Sequence, residues 1–499
     1  MQQHLAFGST SVWCSIKMVL LILTVLCVVI SASQIQAQDD SVRPVPPLCL
    51  VCKCSDNPTF SKQVDILCSE HVHEIELTRS DSWPDAVRSF SLTNAQLSTL
   101  PRLPSTNNLQ YMNSLSLSHN ALETLPDDAF NNFNLKQLDL SFNGLKELTE
   151  SNLNGIEDLE ILRLQHNIFS NVNWQIINKL QHLQELYFQD NYIKTLEGTT
   201  DLKELKVLNM SGNELVEIPK ETCLGLPVIQ TILLADNRLE GVPSCLLNLQ
   251  ELRELVLDGN QLTQVADSAF YTLTKLQTLG LSRLVQLEKV DGGALKGLKN
   301  LQSFRLSHNP RLTSIHRSLL LGEDAAQHHW SFTEVDLSYN ALTSIPKDLA
   351  PWDIIEWLDL QGNPWHCSCD AKWMVDTLVP ALYSKNSTQL VEVRCATPER
   401  FAGRRMVHWL DYKTDPMPWC SSDSQPAPLQ TEVKVQTGSS HGMLIALTVV
   451  AVAGVVLIVV GVVLQRRYTR QRKEMATIMG RCRNPRNGSV RLTNPKLGI

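Results

Sequence analysis

The sequence lacks the short motifs that mark common active sites. Its 499 residues contain no Gly-x-Ser-x-Gly nucleophile elbow, no phosphate-binding glycine loop and no His-Glu-x-x-His pattern. His316, His328 and His329 lie close in sequence, but no carboxylate or cysteine stands beside them at the spacing of metal ligands. The sequence therefore predicts neither an enzyme nor a metal site, and it predicts no cofactor.

Basic residues are scarce outside the last segment of the chain. There are 44 Lys and Arg against 51 Asp and Glu, and residues 465–499 alone hold ten basic side chains and one acidic one. The whole chain has a net charge of −7. Without the +9 of the tail and the +1 of Lys17, which lies in the predicted leader described below, the predicted extracellular part has a net charge of about −17. This balance excludes a basic extracellular surface for nucleic acid or heparin.

Long apolar runs are few, and two of them suggest how the chain is delivered. Residues 18–30 are too short to span a bilayer and predict the core of a signal peptide, 1–37, cleaved after Ser33 or Ala37. Residues 443–464 are uncharged and long enough for a transmembrane helix, and the basic tail 465–499 follows directly. Positive charge marks the cytoplasmic side, so we expect a single-pass type I protein of the plasma membrane with its N-terminus outside the cell.

Aromatic residues make up only 6% of the chain although 43% is hydrophobic, because the apolar content is arranged as a leucine repeat. The pattern Leu-x-x-Leu-x-Leu-x-x-Asn-x-Leu recurs twelve times between residues 76 and 363. Its asparagine position falls at Ala95, Asn120, Asn143, Asn167, Asn191, Asn213, Asn237, Asn260, Leu284, Asn309, Asn340 and Asn363. Such self-similarity predicts an α/β repeat solenoid of the leucine-rich-repeat horseshoe type.

Each position of the repeat has a physical reason. The alternating x-Leu-x-Leu-x core predicts a short strand with leucines inward and the other side chains outward. The asparagine follows where the chain leaves the strand, and its amide can satisfy backbone groups that the turn would leave buried. No repeat can cover its own leucines, so the repeats must stack.

Cysteines stand at both ends of this stack. Of thirteen cysteines, ten lie in the predicted extracellular part, an even number that favours disulfides in an oxidising compartment. We therefore expect an N-terminal cysteine cap at 45–75, a C-terminal cap at 364–420 and a stalk at 421–442 before the membrane. Cys223 and Cys245 occupy nearly equivalent positions of neighbouring repeats, which predicts a disulfide between them, with two buried free thiols as the alternative.

The C-terminal cap carries the clearest family resemblance. The stretches Asn363-Pro364-Trp365-His366-Cys367-Ser368-Cys369 and Arg394-Cys395-Ala396-Thr397-Pro398-Glu399 resemble the extracellular leucine-rich-repeat proteins with paired cysteine caps, such as the slit, Nogo-receptor and trophoblast-glycoprotein groups. The resemblance covers residues 49–420. It implies the disulfide pairs Cys49–Cys54, Cys52–Cys68, Cys367–Cys395 and Cys369–Cys420.

The middle outward position of each strand predicts a row along the concave face of the horseshoe. Solvated strand faces are usually polar, and the row departs from that rule at Arg163, Tyr187, Leu233 and Val256, with Arg305 further along. Tyrosine and arginine are frequent interface anchors. Scattered exposed apolar residues are also common on ordinary surfaces, so the residues alone leave both interpretations open.

Two glycosylation sequons lie in the predicted extracellular part, at Asn209 and Asn386. Asn209 falls within the concave row, where an attached glycan would push partners elsewhere. At the C-terminus, Leu497 and Ile499 fit the pattern that a PDZ domain accepts.

These features predict a cell-surface receptor or adhesion glycoprotein that binds an extracellular protein ligand through the horseshoe and delegates signalling to partners. The lone predicted helix and the short tail equally suit an auxiliary subunit of a membrane channel or receptor complex.

Overall fold

The computed structural model describes residues 46–56, 63–69, 77–104, 109–131, 133–320, 332–352 and 355–410. All of these residues belong to one compact unit that spans 1–422, and the second unit, 423–499, lies outside the described residues.

The N-terminal end begins with helix α1 (Pro47–Val51), followed by strand β1 (Lys53–Asp56) and strand β2 (Val64–Ser69). β1 is antiparallel to β2, and β2 then pairs in parallel with the first repeat strand. Two disulfides, Cys49–Cys54 and Cys52–Cys68, tie this segment together, and they are the pairs that the resemblance implied. The sheet edge of the first repeat is therefore covered by the cap.

Short strands recur once per repeat, with small helices and strand pairs between them. In chain order these elements are β3 (Val87–Thr93), β4 (Ser114–Ser116), β5 (Gln137–Asp139), β6 (Ile161–Arg163), β7 (Asn171–Asn173), α2 (Trp174–Ile177), β8 (Glu185–Tyr187), β9 (Thr195–Glu197), β10 (Val207–Asn209), α3 (Lys220–Leu224), β11 (Thr231–Leu233), β12 (Glu254–Val256), β13 (Gln264–Val265), β14 (Thr278–Gly280), β15 (Lys289–Val290), β16 (Ser303–Arg305), β17 (Glu334–Asp336) and β18 (Trp357–Asp359). Single turns of 3-10 helix lie at Ser80–Ser82, Glu150–Leu153 and Ser244–Asn248.

One sheet runs through all the repeats. Within the described residues it has fourteen strands, β1 and β2 followed by twelve parallel repeat strands in chain order. β7 pairs separately with β9, and β13 with β15. The twelve strands fall where the leucine pattern predicted them, which confirms the repeat solenoid.

Side chains alternate along each strand as the period of two requires. In β4, β6 and β8 the central leucine is buried and its two neighbours are half-buried. These leucines join one continuous core from the first cap to the last, and burying each contributes about 1.5–3 kcal/mol. Because the core of one repeat is completed by its neighbours, stability depends on stacking.

The repeat asparagines form a buried ladder behind the strands. At Asn237, the Nδ2 group donates to the carbonyl oxygens of Met210 at 2.9 Å and Leu234 at 3.2 Å, while Oδ1 accepts from the backbone N–H of Leu215 at 3.0 Å. The same bonds recur at the other asparagines from Asn120 to Asn363. The predicted role of this residue is thus confirmed.

A third disulfide joins two adjacent repeats. Cys223 in α3 is bonded to Cys245 in the following 3-10 helix, with a Cα–Cα distance of 5.6 Å, and both residues are buried. Of the two alternatives that the sequence left open, the structure has the disulfide.

The C-terminal cap packs against the last repeat. It contains β19 (Trp365–His366) paired with β20 (Cys395–Thr397), a π-helical turn at Met374–Leu378 that runs into helix α4 (Val379–Lys385), and 3-10 turns at Cys369–Ala371, Ser387–Leu390, Glu399–Phe401 and Met406–Trp409. The Cys367–Cys395 disulfide matches the implied pairing. Cys369 is also disulfide-bonded, but Cys420 lies outside the described residues, so the Cys369–Cys420 pair stays a prediction.

Candidate functional site

The middle outward position of the x-Leu-x-Leu-x pattern, which is the last residue of each three-residue strand, forms one continuous row on the outward side of the sheet. Parallel pairing places each of these residues beside its counterpart in the next repeat, for example Arg163 opposite Tyr187 and Leu233 opposite Val256. We call this row, together with the residues that begin each strand, the strand face. It corresponds to the predicted concave side of the horseshoe.

Arg163 and Tyr187 form a fixed pair on the strand face. The guanidinium of Arg163 lies over the Tyr187 ring, 5.4 Å from its centre, which is within the range of a cation–π contact. The Tyr187 hydroxyl donates to a carboxylate oxygen of Glu185 at 2.9 Å. Burial, followed by this hydrogen bond, raises the pKa of Tyr187 above its ordinary value, so the phenol stays protonated and acts as a donor.

Leu233 and Val256 lie side by side, but Asn209 separates them from Tyr187. The structure therefore brings four of the five predicted residues into one row spanning five neighbouring repeats. Arg305 lies in the same row, two repeats beyond Val256, and Gly280 occupies the position between them.

The first residue of each strand faces the same side, and sequence analysis did not single out this second row. It contributes Ile161, Glu185, Val207 and Glu254, all half-buried. The signal was available, because residues two apart on a strand share a face. Val207 adds an apolar side chain on the strand next to that of Leu233, where it lies opposite Thr231.

Three polar atoms along the strand face are buried without a hydrogen-bond partner among the described residues. They are Oε1 of Gln165, Oε1 of Gln189 and Nε of Arg305. Leaving such groups without a partner costs about 1–3 kcal/mol each. None of the three atoms is exposed, so a partner could reach them only if the surrounding side chains moved.

The two sequons differ in their surroundings. Asn209 is half-buried in the middle of the strand face, and its Oδ1 accepts the backbone N–H of Ser211 at 3.0 Å. Asn386 is exposed, and its Oδ1 accepts both the N–H and the hydroxyl of Thr388, at 3.1 and 2.7 Å. Glycosylation of either residue stays a prediction.

The described part of the chain holds no group of three or more His, Cys, Asp or Glu residues arranged to bind a metal ion. Within the same residues, none of the helices has the length and hydropathy to cross a bilayer. The signal peptide 1–37, the stalk 421–442, the predicted span 443–464, the tail 465–499 and the PDZ-type residues Leu497 and Ile499 all lie outside the described residues.

Comparisons with known proteins agree with the repeat architecture. A leucine-rich-repeat family model matches residues 157–215 and 250–310. Chicken Tsukushi is 31% identical over 241 residues, which are 48% of this chain and 51% of Tsukushi. Lumican of Japanese quail is 29% identical over 42% of this chain and 60% of lumican. The chain thus spans about half to two thirds of the length of these relatives.

A solved structure has the same fold. The mouse RP105/MD-1 complex superimposes with a TM-score of 0.55 and 23% identity, covering 67% of this chain and 55% of that one. Taken together with the twelve parallel strands and the asparagine ladder, these matches show a leucine-rich-repeat solenoid with disulfide-bonded cysteines near its N-terminus.

Proposed function

We propose that this chain is a cell-surface receptor or adhesion protein that binds an extracellular protein through the strand face and leaves signalling to its partners. One observation carries the proposal. Arg163, Tyr187, Leu233 and Val256 occupy one row of five adjacent repeats, interrupted only by Asn209.

This row has the composition of an interface centre. Tyrosine and arginine are enriched among the residues that contribute most to protein binding. The stacking of Arg163 on Tyr187 and the hydrogen bond to Glu185 hold both side chains in place before a ligand arrives. Side chains that are already ordered lose less conformational entropy on binding.

The membrane attachment in this proposal rests on the sequence of residues 443–464 and on the basic tail that follows. The leucine-rich-repeat match and the similarity to Tsukushi and lumican support the repeat solenoid that presents the strand face. An auxiliary subunit of a membrane complex would use the same face toward a neighbouring ectodomain.

We further propose that Asn386 carries a glycan and that Asn209 does not. Asn386 is exposed at the start of a 3-10 turn, whereas Asn209 is half-buried in the middle of the strand face, where a glycosyltransferase has less access to its amide. Peptide mapping after glycosidase treatment in oxygen-18 water, which leaves an 18O-labelled aspartate at each formerly glycosylated asparagine, should label Asn386 but not Asn209. Labelling of Asn209 would place a glycan in the middle of the strand face and contradict binding there.

The proposed function can be tested by site-specific photocrosslinking on living cells. A benzophenone amino acid is placed at Leu233 in the full-length chain and, as a matched control, at Val216, which is exposed outside the repeat strands. We expect a saturable protein adduct from position 233 and none from 216. Equal adducts from both positions, or none from 233, would reject the strand face as the binding surface.

A further inference from the structure

The strand face carries more negative than positive charge. Its two rows hold six carboxylates, and Asp258, which follows the second leucine of its repeat, adds a seventh: Asp139, Glu185, Glu254, Asp258, Glu334, Asp336 and Asp359. Against these stand only Arg163 and Arg305, and no lysine. The lysines lie beside the strands instead, as Lys136 does next to Glu160.

These carboxylates make no close ion pair in the part of the chain that the structure describes, although the charges of Arg305 and Arg283 act on Asp258 from a greater distance. Within the described residues, none of the seven lies within 4.0 Å of a lysine or arginine nitrogen, although other acidic residues of the chain make such pairs. Their hydrogen bonds come from neutral groups, such as the Ser338 N–H to Asp336 and the Ser303 hydroxyl to Glu334. Beyond burial, the charge of Asp336 raises the pKa of Asp359, as expected where negative charge accumulates.

Two of the carboxylates flank the apolar part of the strand face. Glu185 lies beside Val207 in the first row, and Glu254 begins the strand that ends at Val256. Leu233 lies between these two strands, next to Val256. An apolar centre with a charged edge is the usual anatomy of a protein interface, where the centre supplies affinity and the edge supplies specificity.

We propose that the strand face binds a basic segment of its protein partner, in which an apolar side chain is flanked by lysines or arginines. The apolar side chain would rest on Val207, Leu233 and Val256, and the flanking cations would meet Glu185 and Glu254. This inference rests on the proposed function, because it names the chemistry of the partner for the same surface.

Three synthetic peptides test the proposal with the full-length chain. The first, Lys-Lys-Ser-Trp-Leu-Ser-Lys-Lys, has both features; the second replaces its lysines by glutamate; the third replaces Trp-Leu by Ser-Ser. Fluorescence anisotropy should show saturable binding of the first peptide, about tenfold tighter than either of the others and weakened severalfold by raising the salt from 0.05 to 0.3 M. Binding of the glutamate peptide at equal affinity, or no binding of the first peptide, would overturn the proposal.

Charge-neutralising variants locate the effect. The double variant Glu185→Gln and Glu254→Gln should weaken the first peptide about fivefold or more. The matched control Glu217→Gln and Glu240→Gln removes the same charge from exposed positions outside the strands and should change the affinity less than about twofold. Equal effects of the two double variants would show nonspecific attraction and reject the proposed surface.

These experiments distinguish failure of the basic-segment proposal from failure of the proposed function. A partner captured at position 233 whose binding is unaffected by Glu185→Gln and Glu254→Gln would keep the proposed function and reject a basic segment as its ligand. The absence of any adduct at position 233 would reject both.

Discussion

Asp258 accepts a backbone hydrogen bond from the next repeat, whereas in several other repeats the acceptor belongs to the same repeat as the donor. In several repeats the side chain of the last strand residue accepts a hydrogen bond from the backbone N–H two residues later, as Asp139 does from Ser141 at 3.0 Å. Gly280 occupies that position in β14 and has no side chain to offer. Asp258 of the preceding repeat reaches across instead and accepts the N–H of Ser282 at 2.8 Å. A Cβ atom on Gly280 would lie 2.7 Å from that oxygen, so the glycine and the aspartate fit only together.

Two substitutions separate the hydrogen bond of Asp258 from its charge. Asp258→Ala leaves the Ser282 N–H without its acceptor and should lower the free energy of unfolding by about 1–3 kcal/mol. Asp258→Asn keeps an acceptor oxygen and removes a carboxylate whose pKa is raised, chiefly by burial. We therefore expect the asparagine variant to be more stable than the parent chain at pH 7.

The advantage of Asp258→Asn should depend on pH in a defined direction. Because the folded pKa of Asp258 exceeds its ordinary value of 3.8, the folded state binds more protons than the unfolded state in the window between these two pKa values. The stability of the parent chain relative to the variant therefore falls as pH rises through that window. Urea unfolding of both chains from pH 4 to pH 7 measures the difference, with exposed Glu217→Gln as the control. A difference that shrinks as pH rises would contradict the argument.

A second pattern at this scale follows the residue that precedes each repeat asparagine. The rings of His119, Phe142 and His166 stack with successive centre distances of 4.0 Å, and His166 then meets Asp190. Backbone φ is positive at all four positions, as the turn requires. The repeat pattern predicts that these positions are outward, but it does not fix their partners, because stacking depends on which rings happen to occur at the same position of adjacent repeats.

The asparagine ladder is the structural feature that the sequence predicts most directly. A regular spacing of 22–25 residues recurs over most of the stack, so one buried amide per turn was predictable from the pattern alone. Leu284 interrupts the ladder and is fully buried among the leucines instead. The bridge from Asp258 to Ser282 was not predictable, because it depends on the depth and reach of a side chain between repeats rather than on the period of either one.

Removing one rung should have a large local cost. Asn237→Ala deprives the Met210 and Leu234 carbonyls and the Leu215 N–H of their shared partner in a dry environment. We expect the free energy of unfolding to fall by about 2–4 kcal/mol. The control Asn300→Ala removes one exposed hydrogen bond, to the carbonyl of Thr274, and should cost less than about 1 kcal/mol. Calorimetry measures the free energy of unfolding of both variants. Similar losses in the two variants would show that the asparagine ladder adds little to stability.

At the scale of the whole solenoid, each repeat is stabilised by its immediate neighbours. The strand face and the core were predictable because every repeat stacks in the same way. The position of Val207 opposite Thr231, on the strand next to that of Leu233, depends on the register between strands and was not predicted. In such a chain a local defect spreads only as far as neighbouring interfaces transmit it. The caps therefore protect the ends of the stack more than its middle.

Opening the C-terminal cap tests this locality. The paired substitution Cys367→Ser and Cys395→Ser removes a disulfide within the cap that packs against the last repeat. Hydrogen exchange of the full-length chain should then accelerate in β17 and β18, while β4 to β6 keep the rates of the parent chain. The matched pair Cys223→Ser and Cys245→Ser removes a disulfide from the middle of the stack and should accelerate exchange in β10 to β12. Nearest-neighbour coupling confines the early loss of protection to the repeats next to the broken disulfide. Uniform acceleration over all the strands after either change would therefore contradict this coupling and mean that the solenoid unfolds as one cooperative unit.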